Sequence, residues 1–379
     1  MDPGTDMAEL GMDAQFDPFQ KLFIGDKLDI VRSPTQTDFP MMSLAKLYRF
    51  GHIFFRWQIQ KASILDYLPE EVSVEVTNVC NFKCAFCPQS QSDHHDHVPK
   101  TYLEPKAADL ILRRLREGGI QTQTLHWTLD GEPFMNRRFD ELCNAALRHG
   151  FSNMYFATNG MLLTEDIIAR LPTHSGARYT FTIDFAADQP YFEDVRGTQG
   201  SWQRTFDNIV RILLNADLTQ FHIELSDIST YRLSDTLETD RKFRELRNLF
   251  SDPNSRLKVF QKTFHNAAGL VEKHVTTSSG KKYHLCPYPW TSLFVASNGD
   301  IVACCRDLRR QTVLGNILKK SLVEIWNGAA FQELRQNLVD RKPELSAACN
   351  GCDLPYDDAK FSVENIMRTA RRRLQLFNS

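Results

Sequence analysis

The chain has 379 residues, 42% of them hydrophobic, and a net charge of -2. The length fits a barrel of roughly 200–250 residues with an appendage, and the composition fits a globular protein with a sizeable core; the charge balance leaves no electrostatic footprint for nucleic acid. No run of about 18 apolar residues predicts a membrane-spanning helix, and the acidic, polar start "MDPGTDMAELGMDAQFDPFQ" is not a secretory signal, so a cytoplasmic location is expected.

Residues 1–70 read as an irregular arm plus one helix, or as a recognition element for a peptide. The segment "RFGHIFFRWQIQK", Arg49 to Lys61, is amphipathic; it packs on the domain in one reading and touches a membrane surface in the other. From Val72 the chain alternates. β-branched and aromatic runs predict strands over Val72–Asn78, Thr124–Leu129, Asn153–Thr158, Arg178–Asp184, Thr219–Ile228 and Arg256–Thr263. Between them, apolar residues at helical spacing predict helices over Glu104–Gly119, Phe139–Gly150, Thr164–Leu171, Ser201–Ala216 and Asp240–Phe250. Such alternation implies parallel strands with right-handed crossovers, which a partial barrel and an open doubly wound sheet both satisfy.

In either architecture, active-site groups sit at the carboxyl ends of strands. The first strand runs directly into "CNFKCAFC", with Cys80, Cys84 and Cys87. "DGEP", Asp130 to Pro133, follows the second strand, "TNG" from Thr158 the third, and Asp184 ends the fourth. Beyond Cys286 the composition shifts. "CPYPWTSLFVASNGDIVACCRD" reads as a two-stranded hairpin, "SLVEIWNGAAFQELRQNL" as a helix, and "CNGC" as a Cys349/Cys352 knuckle. A terminal amphipathic helix is expected over 361–379.

The chain has nine cysteines, an odd number without an export signal, so metal or redox chemistry is a better expectation than a disulfide framework. Cys143, inside a helical pattern, reads as an ordinary core residue. Three thiolates at C-x-x-x-C-x-x-C spacing can hold three corners of a four-iron, four-sulfur cluster and leave one iron open to a ligand. The alternative is zinc completed by His94, His95 or His97 of "SDHHDHVP", a stretch that otherwise reads as a solvated loop.

In this context the cysteine trio, the aromatic Phe86 and the "GEP" segment resemble the radical S-adenosylmethionine (radical SAM) superfamily over about residues 70 to 265. The resemblance implies a partial (β/α)6 TIM-type barrel over 71–265. It implies that Cys80, Cys84 and Cys87 hold a 4Fe-4S cluster whose open iron chelates SAM. Phe86 then lies beside the adenine, and Gly131, Glu132 and Pro133 bind the SAM amino group. Thr158 and Asn159 lie near the ribose or substrate, and Arg196 pairs with the SAM carboxylate, a bidentate task that suits a guanidinium. Asp130 departs from the usual GGEP at the first glycine. Asp184 reads as a substrate ligand or proton acceptor, or as a plain strand-end cap; Arg196 also reads as a surface residue.

The phrases "NGDIVAC" and "LGNI…SLVEIWNG…F" resemble the SPASM/twitch extension of that superfamily, which implies an auxiliary 4Fe-4S cluster domain over 266–360. Only five cysteines follow the barrel, which favours the shortened form with one cluster held by Cys286, Cys304, Cys349 and Cys352. Cys304 is preferred to Cys305 by its distance from Gly299. The resemblance implies an oxidoreductase that cleaves SAM to a 5′-deoxyadenosyl radical, abstracts a substrate hydrogen and passes an electron to the auxiliary cluster. An electron donor such as flavodoxin or ferredoxin is expected. A small sugar- or aminocyclitol-like substrate is favoured, because residues 1–70 show no clear strand–turn–strand pattern for binding a leader peptide. The alternatives are a peptide- or protein-modifying maturase and, from another class, a metal-stabilised binding protein without catalysis.

Overall fold

The computed structural model describes residues 44–173, 176–215, 217–233, 235–271 and 282–356. The arm before residue 44 and the terminal helix expected over 361–379 lie outside them. The first helix, α1 (Leu44–Phe54), runs into one π-helical turn, Phe55–Ile59. It buries Ile53 and Trp57 against the body of the protein, the outcome that the amphipathic pattern permits without a membrane.

The parallel strands are β1 (Glu71–Val74), β2 (Thr124–Trp127), β3 (Asn153–Thr158), β4 (Arg178–Phe185), β5 (Phe221–Asp227) and β6 (Leu257–Gln261). Each lies beside its predecessor and parallel to it. A doubly wound sheet needs a reversal of strand order; the unbroken order here is that of a partial barrel. The crossovers are α2 (Pro105–Glu117), α3 (Phe139–Arg148), α4 (Glu165–Arg170), the pair α5 (Gln189–Arg196) and α6 (Ser201–Leu214), and α7 (Thr236–Leu249). Helix α5 is additional to the five expected, and its signals are local. Asp188 caps it by accepting from the Tyr191 amide at 2.9 Å, Pro190 sits in its first turn, and Gly197 ends it at φ +63°.

Alternation along the strands separates two faces. One is apolar and closed: Trp127, Phe156, Phe181, Phe185 and Phe221 are each at most 1% exposed. The opposite face is the lumen, and it is polar. Ser73, His126, Tyr155, Thr180 and His222 form one cross-strand row, Thr182, Glu224 and Lys258 a second, and Asp184 with Ser226 a third nearest the carboxyl ends.

The cysteine-rich segment extends this same sheet. β7 (Ser292–Val295) pairs in parallel with β1, and β8 (Asp300–Val302) and β9 (Val313–Asn316) continue antiparallel, giving nine strands in the order 6-5-4-3-2-1-7-8-9. The single helix expected after them is two, α8 (Leu322–Trp326) and α9 (Ala329–Val339). The break falls at Asn327, whose side chain bonds the Leu65 amide at 2.9 Å and the Leu65 carbonyl at 2.7 Å, and at Gly328, where a Cβ would stand 2.6 Å from Glu324 O.

Arg335 of α9 joins the same junction from inside the core. It donates to Pro289 O at 2.8 Å, Ser63 O at 2.9 Å and Asn327 Oδ1 at 3.2 Å, and its guanidinium lies over the Trp326 and Phe331 rings. Burial pulls its pKa down to about 9. Arg335→Ala strands two buried carbonyls and opens a cavity, so it should lower the unfolding free energy by about 3 kcal/mol. Urea unfolding checks this; an unmoved midpoint would contradict it.

Candidate active site

All four expected strand ends meet at one end of the barrel. The cysteine loop is held from two sides by backbone. On one side the Ala85 amide donates to Val195 O at 2.8 Å and the Lys83 amide to Arg196 O at 3.3 Å. There a Cβ on Gly197 would fall 2.1 Å from Lys83 O. On the other side the Glu132 amide donates to Val79 O at 2.9 Å, and a Cβ on Gly131, at φ +70°, would meet Thr77 O at 2.4 Å. Both glycines sit where only a bare Cα lets the chains approach.

Within this frame the three thiols face different charges. Burial pushes Cys80 up to about 12, with Glu132 adding to the shift. Burial also raises Cys84, where Arg196 opposes it, and raises Cys87, where the Asp130 charge adds to it. The protein alone therefore disfavours thiolates here, and a cationic iron cluster is the kind of group that offsets their desolvation. Among the described residues no three His, Cys, Asp or Glu side chains converge closely enough for a single metal ion. The histidines are also engaged elsewhere. His94 is fully buried against Asp130 at 2.8 Å, not solvated, while His95 bonds Val98 O and His97 bonds Asp93.

Glu132 is 1% exposed and both its carboxylate oxygens are taken: Oε1 by the Thr158 hydroxyl at 2.7 Å, Oε2 by the Asn159 amide at 2.7 Å. Burial lifts its pKa to about 7. The Asn159 side chain reaches Asn81 at 2.7 Å. Thr158 and Asn159 thus bind the "GEP" loop to the cysteine loop. Pro133 is buried and opens a short 3₁₀ turn behind them.

Asp184 is neither a cap nor alone. It accepts from Lys262 Nζ at 2.8 and 3.0 Å and from Arg196 Nη1 at 3.1 Å. Burial alone would raise its pKa; Lys262 and Arg196 outweigh that and hold it below the usual carboxylate range. Arg196 is 5% exposed, so it is not a surface residue, and its Nε has no hydrogen-bond partner among the described residues. Phe86 packs edge-on to Tyr231 and Phe264, with Lys262 Nζ 5.5 Å from its ring centre. Lys262, Tyr231 and Phe264 were not expected from the sequence. Lys262 directly follows β6, so the strand-end rule that singled out Asp184 applies to it equally.

The second cysteine group surrounds a separate point. Burial raises Cys286, Cys304 and Cys349. Cys286 feels Cys349 and Cys352; Cys304 feels Cys305, Cys352, Cys349 and Cys286. Cys305 instead faces Arg306 and hydrogen-bonds with Tyr288. Arg306, 4% exposed, reaches Asp353 at 3.1 Å beside the knuckle. Between the two sites, the Gln91 side chain donates to Leu270 O at 2.5 Å, and Arg309 bonds both Gln91 and Asp93.

Residues 74–219 match the radical SAM superfamily, and residues 286–353 match SPASM, an iron–sulfur cluster-binding domain. The chain is 27% identical over 177 residues to a probable GTP 3′,8-cyclase of Metallosphaera sedula, covering 46% of this chain and 52% of that protein. This match spans about half of the relative's length. Similarity to the antilisterial bacteriocin subtilosin biosynthesis protein AlbA of Bacillus subtilis is 21% over 333 residues, covering 80% of this chain and 72% of AlbA. The fold resembles the crystal structure of BtrN in complex with AdoMet and 2-DOIA, with a TM-score of 0.54 and 19% identity over 76% of this chain and 94% of that one.

The tight approach at Gly197 makes a sharp test of the frame. Gly197→Ala must push Lys83 O away or give up φ +63°. It should destabilise the fold by about 2 kcal/mol and reduce the iron retained at the first cysteine group. A variant with full iron and an unchanged melting temperature would contradict the close packing.

Proposed function

Because the chain belongs to the radical SAM superfamily and carries a SPASM domain, we propose that it is an oxidoreductase acting on a small polar substrate of sugar or aminocyclitol type. The cofactors of that family are a SAM-binding 4Fe-4S cluster, an auxiliary 4Fe-4S cluster and SAM. When bound, they supply a 5′-deoxyadenosyl radical that removes a substrate hydrogen atom, and an acceptor for the second electron.

Cys80, Cys84 and Cys87 hold the first cluster, and Cys286, Cys304, Cys349 and Cys352 the auxiliary one. Cys304 is preferred to Cys305 because it feels Cys352, Cys349 and Cys286, whereas Cys305 is engaged by Tyr288. Arg196 receives the SAM carboxylate; its unpartnered Nε supplies the free donor that task needs. Gly131, Glu132 and Pro133 meet the SAM amino group, with the Glu132 carboxylate held by Thr158 and Asn159. Thr158 and Asn159 hold Glu132 in place, and Phe86 walls the adenine side. Asp184, kept ionised by Lys262 and Arg196, accepts hydrogen bonds from substrate hydroxyl or ammonium groups and takes the proton released as an alcohol carbon is oxidised. A one-electron donor such as flavodoxin or ferredoxin completes the system.

The observation that carries the substrate class is the lumen. Thr182, Asp184, Glu224, Ser226 and Lys258 line it in rows that also hold Ala157 and Phe260, and Lys262 reaches Asp184 from just past β6, a mostly polar wall suited to hydroxyls and amines. A second reading, a peptide maturase, is supported by the AlbA match over 80% of the chain. Substrates deuterated at the reacting carbon separate them. Label should pass into 5′-deoxyadenosine from a sugar or aminocyclitol alcohol. Transfer from a peptide alone would favour the second reading, and no transfer from either class would overturn both.

A further inference from the structure

Two features of the sequence stand outside the proposed chemistry: Asp130, which replaces the first glycine of GGEP, and the histidine stretch after the cysteine trio. The structure joins them. His94 Nε2 lies 2.8 Å from Asp130 Oδ2, with His94 fully buried and the Asp130 side chain 2% exposed. The other carboxylate oxygen, Oδ1, accepts the Gly131 amide at 2.8 Å. Asp130 therefore sits behind the loop that carries Cys80 and Cys87, because Gly131 and Glu132 press directly on Thr77 and Val79.

The tautomer of His94 follows from its other nitrogen. Nδ1 is buried without a hydrogen-bond partner among the described residues. A bare lone pair there costs less than a stranded N–H, so the proton belongs on Nε2, which donates to Asp130. With the Gly131 amide on Oδ1, both Asp130 oxygens then accept hydrogen bonds, the arrangement that suits a carboxylate. No guanidinium or ammonium lies within ion-pair distance of Asp130 among the described residues; the side chain that faces it is this imidazole. The added charge that Cys87 feels most is that of Asp130.

We propose that Asp130, held by His94, is a positioning and redox-tuning residue that lowers the reduction potential of the cluster bound by Cys80, Cys84 and Cys87. Reduction adds one negative charge to a cluster. A buried carboxylate nearby opposes that addition, and the low local dielectric makes the opposition felt. A lower potential makes the reduced state a stronger reductant toward SAM. The glycine usual at this position has no such charge.

The inference rests on the assignment of the trio to the SAM cluster. The test is a potentiometric titration of the reconstituted full chain, followed by the electron paramagnetic resonance signal that added SAM perturbs. At a fixed poise, Asp130→Asn should raise the ratio of reduced to oxidised cluster on the order of tenfold, equivalent to about 59 mV for one electron. Asp130→Gly, which restores the family spelling, should move it in the same direction. An intact SAM-sensitive signal with an unmoved ratio in both variants overturns the tuning role. Failure of both variants to assemble the cluster also overturns it and makes Asp130 a folding residue. A wild-type chain with no SAM-sensitive signal would instead sink the assignment of the trio.

Discussion

Desolvation of sulfur organises this molecule. Burial works against ionising Cys80, Cys84, Cys87, Cys286, Cys304 and Cys349, and it outweighs the opposing pull of Arg196, Lys262 and Arg306. On the proposed assignment, iron is the cation that offsets this cost in both groups. Backbone presses on the first loop at Gly131 and Gly197. Arg196 stands next to Cys84 and Arg306 next to Cys352.

The same end of the barrel separates two electrostatic tasks. Carboxylates face Cys80 and Cys87 from the second strand end, at Glu132 and Asp130. Cations face Cys84 from the opposite side, at Arg196 and Lys262, with Asp184 between them. On the proposed assignment, a zwitterionic amino acid moiety would lie in this divided environment with its ammonium toward the "GEP" loop and its carboxylate toward Arg196. The lumen below continues in polar rows, so a second polar ligand can lie next to the first. Sheet continuity through β1 and β7 places the auxiliary cysteines on the same rigid support. Arg309 adds hydrogen bonds to Gln91 and Asp93, which follow the first cysteine group in the chain.

Much of this was legible in the sequence, for local reasons. Strand period and helix period were strong enough to locate six strands and five crossovers, and the strand-end rule gathered Cys80, Glu132, Asn159 and Asp184 before any coordinates. Helix α5 was missed although Asp188, Pro190 and Gly197 spell its start and stop; at eight residues its apolar period is too short to stand out. Asn327 and Gly328 were read through as helix because the partner that breaks it, Leu65, is 262 residues away. The burial of His94 depends likewise on a distant carboxylate. The choice between barrel and open sheet was invisible, since strand order is a property of pairing and not of period.

The central claim is that two separate cysteine groups hold two clusters and that only the first cleaves SAM. Iron content and 5′-deoxyadenosine formation in Cys80→Ala/Cys84→Ala/Cys87→Ala, measured against the unaltered chain after anaerobic reconstitution, address it most directly. The account predicts about eight irons in the unaltered chain and about four in the triple variant, with SAM cleavage abolished in the latter. Cleavage that persists in the triple variant, or a colourless unaltered chain carrying stoichiometric zinc, would contradict it.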